Sequence, residues 1–161
     1  MQDERMTWTD QDVHYMNMAL DLANEAATAS DDVPVGAVLV DNATGEVVAS
    51  GQNTREACQN ALGHAEIQAI NAACTAKGNW RLSDCTLYVT LEPCPMCAGA
   101  ILHARIPRVV CGAKDPVAGA MGSIWTLHRH PTQKSITTVE YGCREDACRE
   151  VLQAFFKNKR N

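Results

Sequence analysis

A chain of 161 residues, 46% hydrophobic and 20% charged, has the composition of one globular domain with a single core. Its formal net charge of −5 excludes a surface that attracts nucleic acid everywhere, so a polyanionic partner must meet a local basic patch. No run approaches the roughly 18–20 apolar residues of a membrane span, and the opening MQDERMTWTD lacks a signal peptide's apolar segment, so a cytoplasmic location is expected.

In chain order, Met16, Leu20, Ala23 and Ala27 recur at helical spacing and predict an amphipathic helix over 10–29, capped by Thr9. VPVGAVLV (33–40) and EVVASG (46–51) read as strands joined through the turn residues DNATG, a hairpin. A helix starts near His64, with Ile67, Ile70, Ala73 and Cys74 on one face, and stops at Gly78. CTLYVTL (85–91) is apolar enough for a central strand. A short helix through Met96 to Arg105 follows, then a strand at RVVCG (108–112) and a Gly- and Pro-rich loop, KDPVAGAMGS. SITTVEY gives a fifth strand. REDACREVLQAFFKNK gives a last helix with Ala147, Val151, Leu152 and Phe155 facing inward. The order α-ββ-α-β-α-β-β-α predicts a layered α/β domain around one mixed sheet.

Eight cysteines in a reducing compartment do not make a disulfide framework. Cys74, Cys85 and Cys111 lie in apolar stretches and read as small buried hydrophobes. Cys94 and Cys97, in TLEPCPMCAG, differ. Pro93 suits a helix start, which would set both thiols on one face at a helix N-terminus, where unpaired N–H groups and the dipole favour thiolates. Such a pair serves redox chemistry or a metal. A metal needs a further ligand, and GHAEI (63–67) offers His64 one strand earlier, at the start of the preceding helix.

Histidine plus two thiolates is a normal zinc set, and three protein ligands leave the fourth corner open for water. Cys85, Cys111 or His103 could close that corner into a structural site. Glu66, just inside the first turn, can lean over the helix mouth and move protons without binding metal. Zinc, two thiolates and a neutral His64 sum to zero charge, so a nearby carboxylate base would help to activate water.

The combination H-x-E…P-C-x-x-C resembles the zinc-dependent nucleobase deaminases of the cytidine/deoxycytidylate superfamily. With VPVGAVLV, HAEIQAI, WRLSDCTLYVTLEPCPMCAGAILHARIPRVVCGAKD and GAMGS, most of the chain is similar to the bacterial tRNA-specific adenosine deaminases. The resemblance implies a cytidine deaminase-like three-layer α-β-α fold with a central five-stranded mixed sheet, one domain over 1–161. It implies one Zn²⁺ per subunit on His64, Cys94 and Cys97, with Glu66 carrying protons between water, adenine ring and departing amine. Asn53 would hydrogen-bond the flipped nucleoside, Val35 would wall the base, Ala65 would touch the substrate, and Asp115 would lie near the RNA backbone. Phe155, Phe156, Lys157 and Arg160 resemble the tail that touches the anticodon loop; the plain alternative for the tail is a solvated helix end. The product would be inosine at the wobble position, an arginine tRNA being the expected substrate.

The family also implies a homodimer through AGAILHARI, with Ile101, Leu102 and Ile106 to cover; the plain alternative is that they pack on their own sheet. REACQNALG (55–63) departs from the family's usual loop before the histidine, and Gly63 stands where that loop has alanine. Deaminases of free guanine or cytosine share the metal motif. A non-catalytic zinc module leaves Glu66 unexplained, and a thiol oxidoreductase leaves His64 unexplained as well.

Overall fold

The computed structural model describes residues 7–160. Thr9 starts α1 (Asp10–Ser30) with a reciprocal cap: its hydroxyl accepts the Asp12 N–H while the Asp12 carboxylate accepts the Thr9 N–H. The helix buries Tyr15, Met16, Ala19, Leu20, Ala23 and Ala26. Its small residues have a reason, because a side chain on Gly36 would lie 1.9 Å from the Ala19 carbonyl oxygen. That near-contact brings α1 onto the start of β1 (Gly36–Asp41). The expected hairpin then leads into β2 (Val47–Gln52), with Asp41 accepting the N–H groups of Ala43 and Thr44 in the turn.

Helix α2 (Ala65–Lys77) ends at Gly78, as expected, in a left-handed conformation. Its buried face agrees with expectation at Ala73 and differs elsewhere: Ala65 and Ala69 also point inward, while Ile67, Ile70 and Cys74 are only half-buried. The cause is Gly51, where an added Cβ would meet the Ala65 carbonyl oxygen at 2.3 Å and the Ala69 nitrogen at 2.8 Å. Backbone so close to backbone leaves room for alanine alone.

β3 (Cys85–Leu91) is buried along nearly its whole length. α3 (Pro95–His103) begins with Cys94 as cap and Pro95 as first residue, so Pro95, not Pro93, fills the position that needs no N–H. It ends two residues earlier than predicted, and Arg105 turns the chain at φ 63°. β4 (Arg108–Ala113) follows; β5 is shorter than SITTVEY and covers only Thr138–Tyr141, the stretch that pairs with β4. α4 (Glu145–Arg160) closes the described chain.

The sheet order is β2-β1-β3-β4-β5. β1 is antiparallel to both neighbours, and β3, β4 and β5 are mutually parallel. The five-stranded mixed sheet carries α2 and α3 on one face, over Leu39, Leu87, Val89 and Val109. The other face carries α1 and α4, over Val38, Val40, Tyr88 and Val110, with Cys148 as the buried residue of α4. This is the three-layer α-β-α arrangement.

Ile101, Leu102 and Ile106 are 0%, 7% and 0% exposed within the single chain. Ile101 and Ile106 pack in the core under the sheet, so these three side chains present little apolar surface of their own to a second copy. No helix among the described residues is long and apolar enough to cross a membrane.

Candidate active site

Because β2 and β3 both run antiparallel to β1, they point the same way, and the helices that follow them open at the same end of the sheet. β4, parallel to β3, delivers the 114–126 loop to that end too. There His64 caps α2 and Cys94 caps α3, neither through a side-chain hydrogen bond. Their donor atoms are thus left for another partner.

His64 Nδ1 lies 3.5 Å from Cys94 Sγ and 3.4 Å from Cys97 Sγ. A tetrahedral zinc with bonds of about 2.0 Å to nitrogen and 2.3 Å to sulfur sets N···S near about 3.5 Å, so the donor set fits that ion. Among the described residues no fourth His, Cys, Asp or Glu joins the group. Cys85 and Cys111 are buried in β3 and β4, and His103 ends α3 outside the cluster.

The thiols do not share one electrostatic state. Cys94 is drawn down to about 4 by the hydrogen bond from Cys97, with His64 and the Cys97 backbone N–H assisting against burial. Cys97 moves far the other way, because its proton is held against Cys94 and burial disfavours its anion. His64 is raised, chiefly by its hydrogen bond to Cys94. A metal ion binds both groups as thiolates. Glu66 is 4% exposed, and burial pushes its carboxyl up to about 7, the range of a group that gives and takes protons at neutral pH.

His64, Glu66 and Cys94 line a cavity of about 180 Å³ together with Val33, Val35 and Leu91 on its apolar side. That is below the roughly 300–1,000 Å³ of drug-sized sites and suits a single small ring system. Asn53 and Asp115 line it as well. The Asn53 carbonyl oxygen accepts the Ala65 N–H at 3.0 Å, which leaves the amide NH₂ as the group it can offer a ligand. Ala65 itself does not line the cavity: its side chain is wholly buried and its N–H is already given to Asn53. The Asp115 carboxylate accepts the N–H groups of Val117 and Ala118, folding its own loop beside the cavity.

A shallower groove adjoins the cavity and shares Val33 and Arg55 with it. Phe155, Phe156 and Lys159 form its far side, with the two rings edge-on at 5.4 Å. Lys157 is exposed outside the groove; Arg160 ends α4, and its side chain lies outside the described ones.

Sequence reasoning missed Asp32, Arg55, Glu92 and Lys159. Asp32, 2% exposed, accepts the N–H groups of Glu56 and Ala57 at 2.8 and 3.2 Å and so holds Arg55 between cavity and groove. Lys159 pairs with Asp31 at the end of α1. The first depends on loop backbone N–H groups and the second joins side chains far apart in the sequence, neither of which residue type alone reveals.

Residues 9–113 match the family model described as the cytidine and deoxycytidylate deaminase zinc-binding region. A tRNA-specific adenosine deaminase of Bacillus subtilis (strain 168) is 45% identical over 93% of this chain and 91% of its own length. Another, of Agrobacterium fabrum (strain C58), is 46% identical over 91% and 95%. A solved structure from work on A-to-I editing by tRNA:A34 deaminases at the wobble position is 43% identical with a TM-score of 0.81, covering 86% of this chain and 99% of that one. A guanine deaminase from Nitrosomonas europaea is more distant: 26% identical, TM-score 0.74, over 94% and 86%.

Proposed function

The chain belongs to the cytidine and deoxycytidylate deaminase family and, within it, to the tRNA-specific adenosine deaminases, and on that premise we propose that it converts adenosine to inosine at the wobble position of a tRNA anticodon loop. The observation that carries this reading is the convergence of His64, Cys94, Cys97 and the buried Glu66 on one base-sized cavity. His64, Cys94 and Cys97 hold one zinc ion per subunit; when bound, it supplies the Lewis acidity that makes water nucleophilic at neutral pH.

The rest falls to this chain's own groups. Glu66 takes a proton from the attacking water and gives it to the ring nitrogen beside carbon 6. It then passes a second proton to the amine, so that water and adenosine leave as inosine and ammonia. Burial near neutrality suits it to both transfers. Val33, Val35 and Leu91 wall the ring, and the free NH₂ of Asn53 donates to the nucleoside. A wobble base in a single-stranded loop can be splayed into the cavity without breaking a duplex. Asp115 borders the RNA backbone. Phe155 and Phe156 meet the anticodon loop along the adjoining groove, and Lys157 and Arg160, in the same C-terminal segment, give that tail formal positive charge against an overall charge of −5.

The same reading takes the protein as a cytoplasmic homodimer acting first on an arginine tRNA. Exposed Val117, Ile124 and Trp125, close in sequence to Asp115, are apolar surface left to cover. Sedimentation as a monomer at micromolar concentration would remove the dimer.

The test is inosine formation by the zinc-loaded protein on an arginine tRNA anticodon stem-loop, beside free adenosine, guanine and cytosine. Inosine from the stem-loop alone is expected. Turnover of a free base with the stem-loop untouched overturns the RNA substrate and leaves the deaminase chemistry.

A further inference from the structure

Glu92 is 2% exposed and is used by none of the steps above, though it lies two residues before Cys94 and lines the cavity. A carboxylate so buried must find its partners inside the protein. It finds four donors, all in one loop. One oxygen accepts the Asp115 N–H at 3.1 Å and the Ser123 hydroxyl; the other accepts the N–H groups of Met121 at 3.1 Å and Ser123 at 3.0 Å. The loop is shaped to admit it. A Cβ on Gly119 would stand 2.4 Å from the Glu92 carboxyl carbon, so no larger residue fits there. The Pro93 carbonyl, next along the chain, accepts the Ala120 N–H at 2.9 Å.

This loop has little regular structure between Ala113 and the short 3₁₀ turn Leu127–Arg129, and it supplies Asp115 and Ala118 to the cavity wall. Backbone hydrogen bonds and the Asp115 carboxylate shape the loop internally, and the four hydrogen bonds to Glu92, with the Pro93–Ala120 bond, tie it to the segment before Cys94. The segment that bears Cys94 and the wall that faces the substrate are fastened at one side chain. We propose that Glu92 is a positioning residue, neither metal ligand nor proton carrier, which holds the 115–123 wall at the distance from the metal-binding residues that RNA recognition requires. The proposal rests on the tRNA reading above for its substrate, but its structural half does not.

Glu92→Gln tests it. The amide keeps size and shape but turns an NH₂ toward backbone N–H donors, losing at least one of the four bonds. Expected are one zinc per chain, unchanged thiolate-to-metal absorption after cobalt substitution, and faster hydrogen exchange at the amides of Asp115, Met121 and Ser123. For the stem-loop, KM rises about tenfold with kcat within about threefold, the split that marks lost binding to the loop wall with the chemical step intact. Ser123→Ala, which removes one bond and is gentler on folding, shifts KM the same way by a smaller factor, and the double variant is no worse than Glu92→Gln alone.

An altered cobalt spectrum, or kcat lost with KM unchanged, means that Glu92 acts on the metal or the chemistry and overturns the proposal. A lower melting temperature with KM and loop exchange both unchanged reduces Glu92 to a packing role and overturns it equally. A parent enzyme that makes no inosine on the stem-loop refutes the tRNA reading instead, and the exchange measurement still decides whether Glu92 holds the loop.

Discussion

At Glu66 a carboxyl is buried beside two cysteines and a histidine, and its protonation is balanced near neutral pH because burial opposes its charge. A residue with only a packing role would not sit at the floor of a cavity in that state. Glu66→Gln is expected to bind one zinc per chain by metal analysis and to lose at least about a hundredfold in kcat, the typical share of a positioned proton carrier. Retained turnover would show that Glu66 is not the group that moves the protons. Asn53 carries two separable duties, capping Ala65 through its oxygen and offering its NH₂ to the cavity. Asn53→Asp keeps the cap and removes the donor, so calorimetry should show a parent-like melting temperature while stem-loop turnover falls about tenfold or more. Asn53→Ala loses both. An Asn53→Asp enzyme as active as its parent would show that the amide is not a substrate contact.

Among the elements, the two helices that bear the metal-binding residues are held by different means. α3 follows β3 with its start set by Cys94 and Pro95, and a C-x-x-C pattern behind a proline announces that much from sequence. The depth of α2 is set by Gly51, a glycine on a neighbouring strand, and nothing local to His64 or Glu66 reports it. This is why the helix itself is legible at 64–78 while its inner face reads as Ile67, Ile70, Ala73 and Cys74, of which only Ala73 is fully buried, beside Ala65 and Ala69. Periodicity gives the period of a face, but the contact distance chooses the size of the residues on it. Gly51→Ala follows from this. Its methyl would meet the α2 backbone, so the helix must lift, at a cost of about 1–3 kcal/mol for overpacking. His64 and Glu66 would move with the helix while Cys94 and Cys97 stayed. The expected result is weaker zinc retention against a chelator, by more than the fall in melting temperature explains; parent-like retention would show that the strand yields instead.

Across the whole molecule, the order of helices and strands already called for a layered domain around one sheet, and the ββ opening called for a mixed one. Which polar groups meet between layers was hidden, because the partners are far apart in sequence. Asp12 on α1 accepts hydrogen bonds from the Tyr88 hydroxyl of β3 at 2.7 Å and from Arg108 of β4, 96 residues away, at 3.1 and 3.3 Å. Arg108 also reaches Glu140 of β5 at 2.9 Å. This cluster joins four elements on the face of the sheet opposite α2 and α3. Burial alone would raise the Asp12 carboxyl, but the bonds from Arg108 and Tyr88 outweigh it and hold it below its ordinary 3.8. A carboxyl depressed in the folded state lends stability that is complete above its unfolded value and is lost as pH falls through the folded one. Asp12→Asn should therefore cost about 1–3 kcal/mol at pH 7, where the charge is present, because Arg108 loses its buried counterion. In melting curves taken from pH 7 to pH 3, the gap between parent and variant should hold steady to about 4 and narrow below 3.8, since only the parent can still lose the charge. Acids remote from Arg108 are common to both proteins and cancel in the difference. A gap that stays constant to pH 3 would mean that Asp12 acts through its cap on α1 and not through its charge on Arg108.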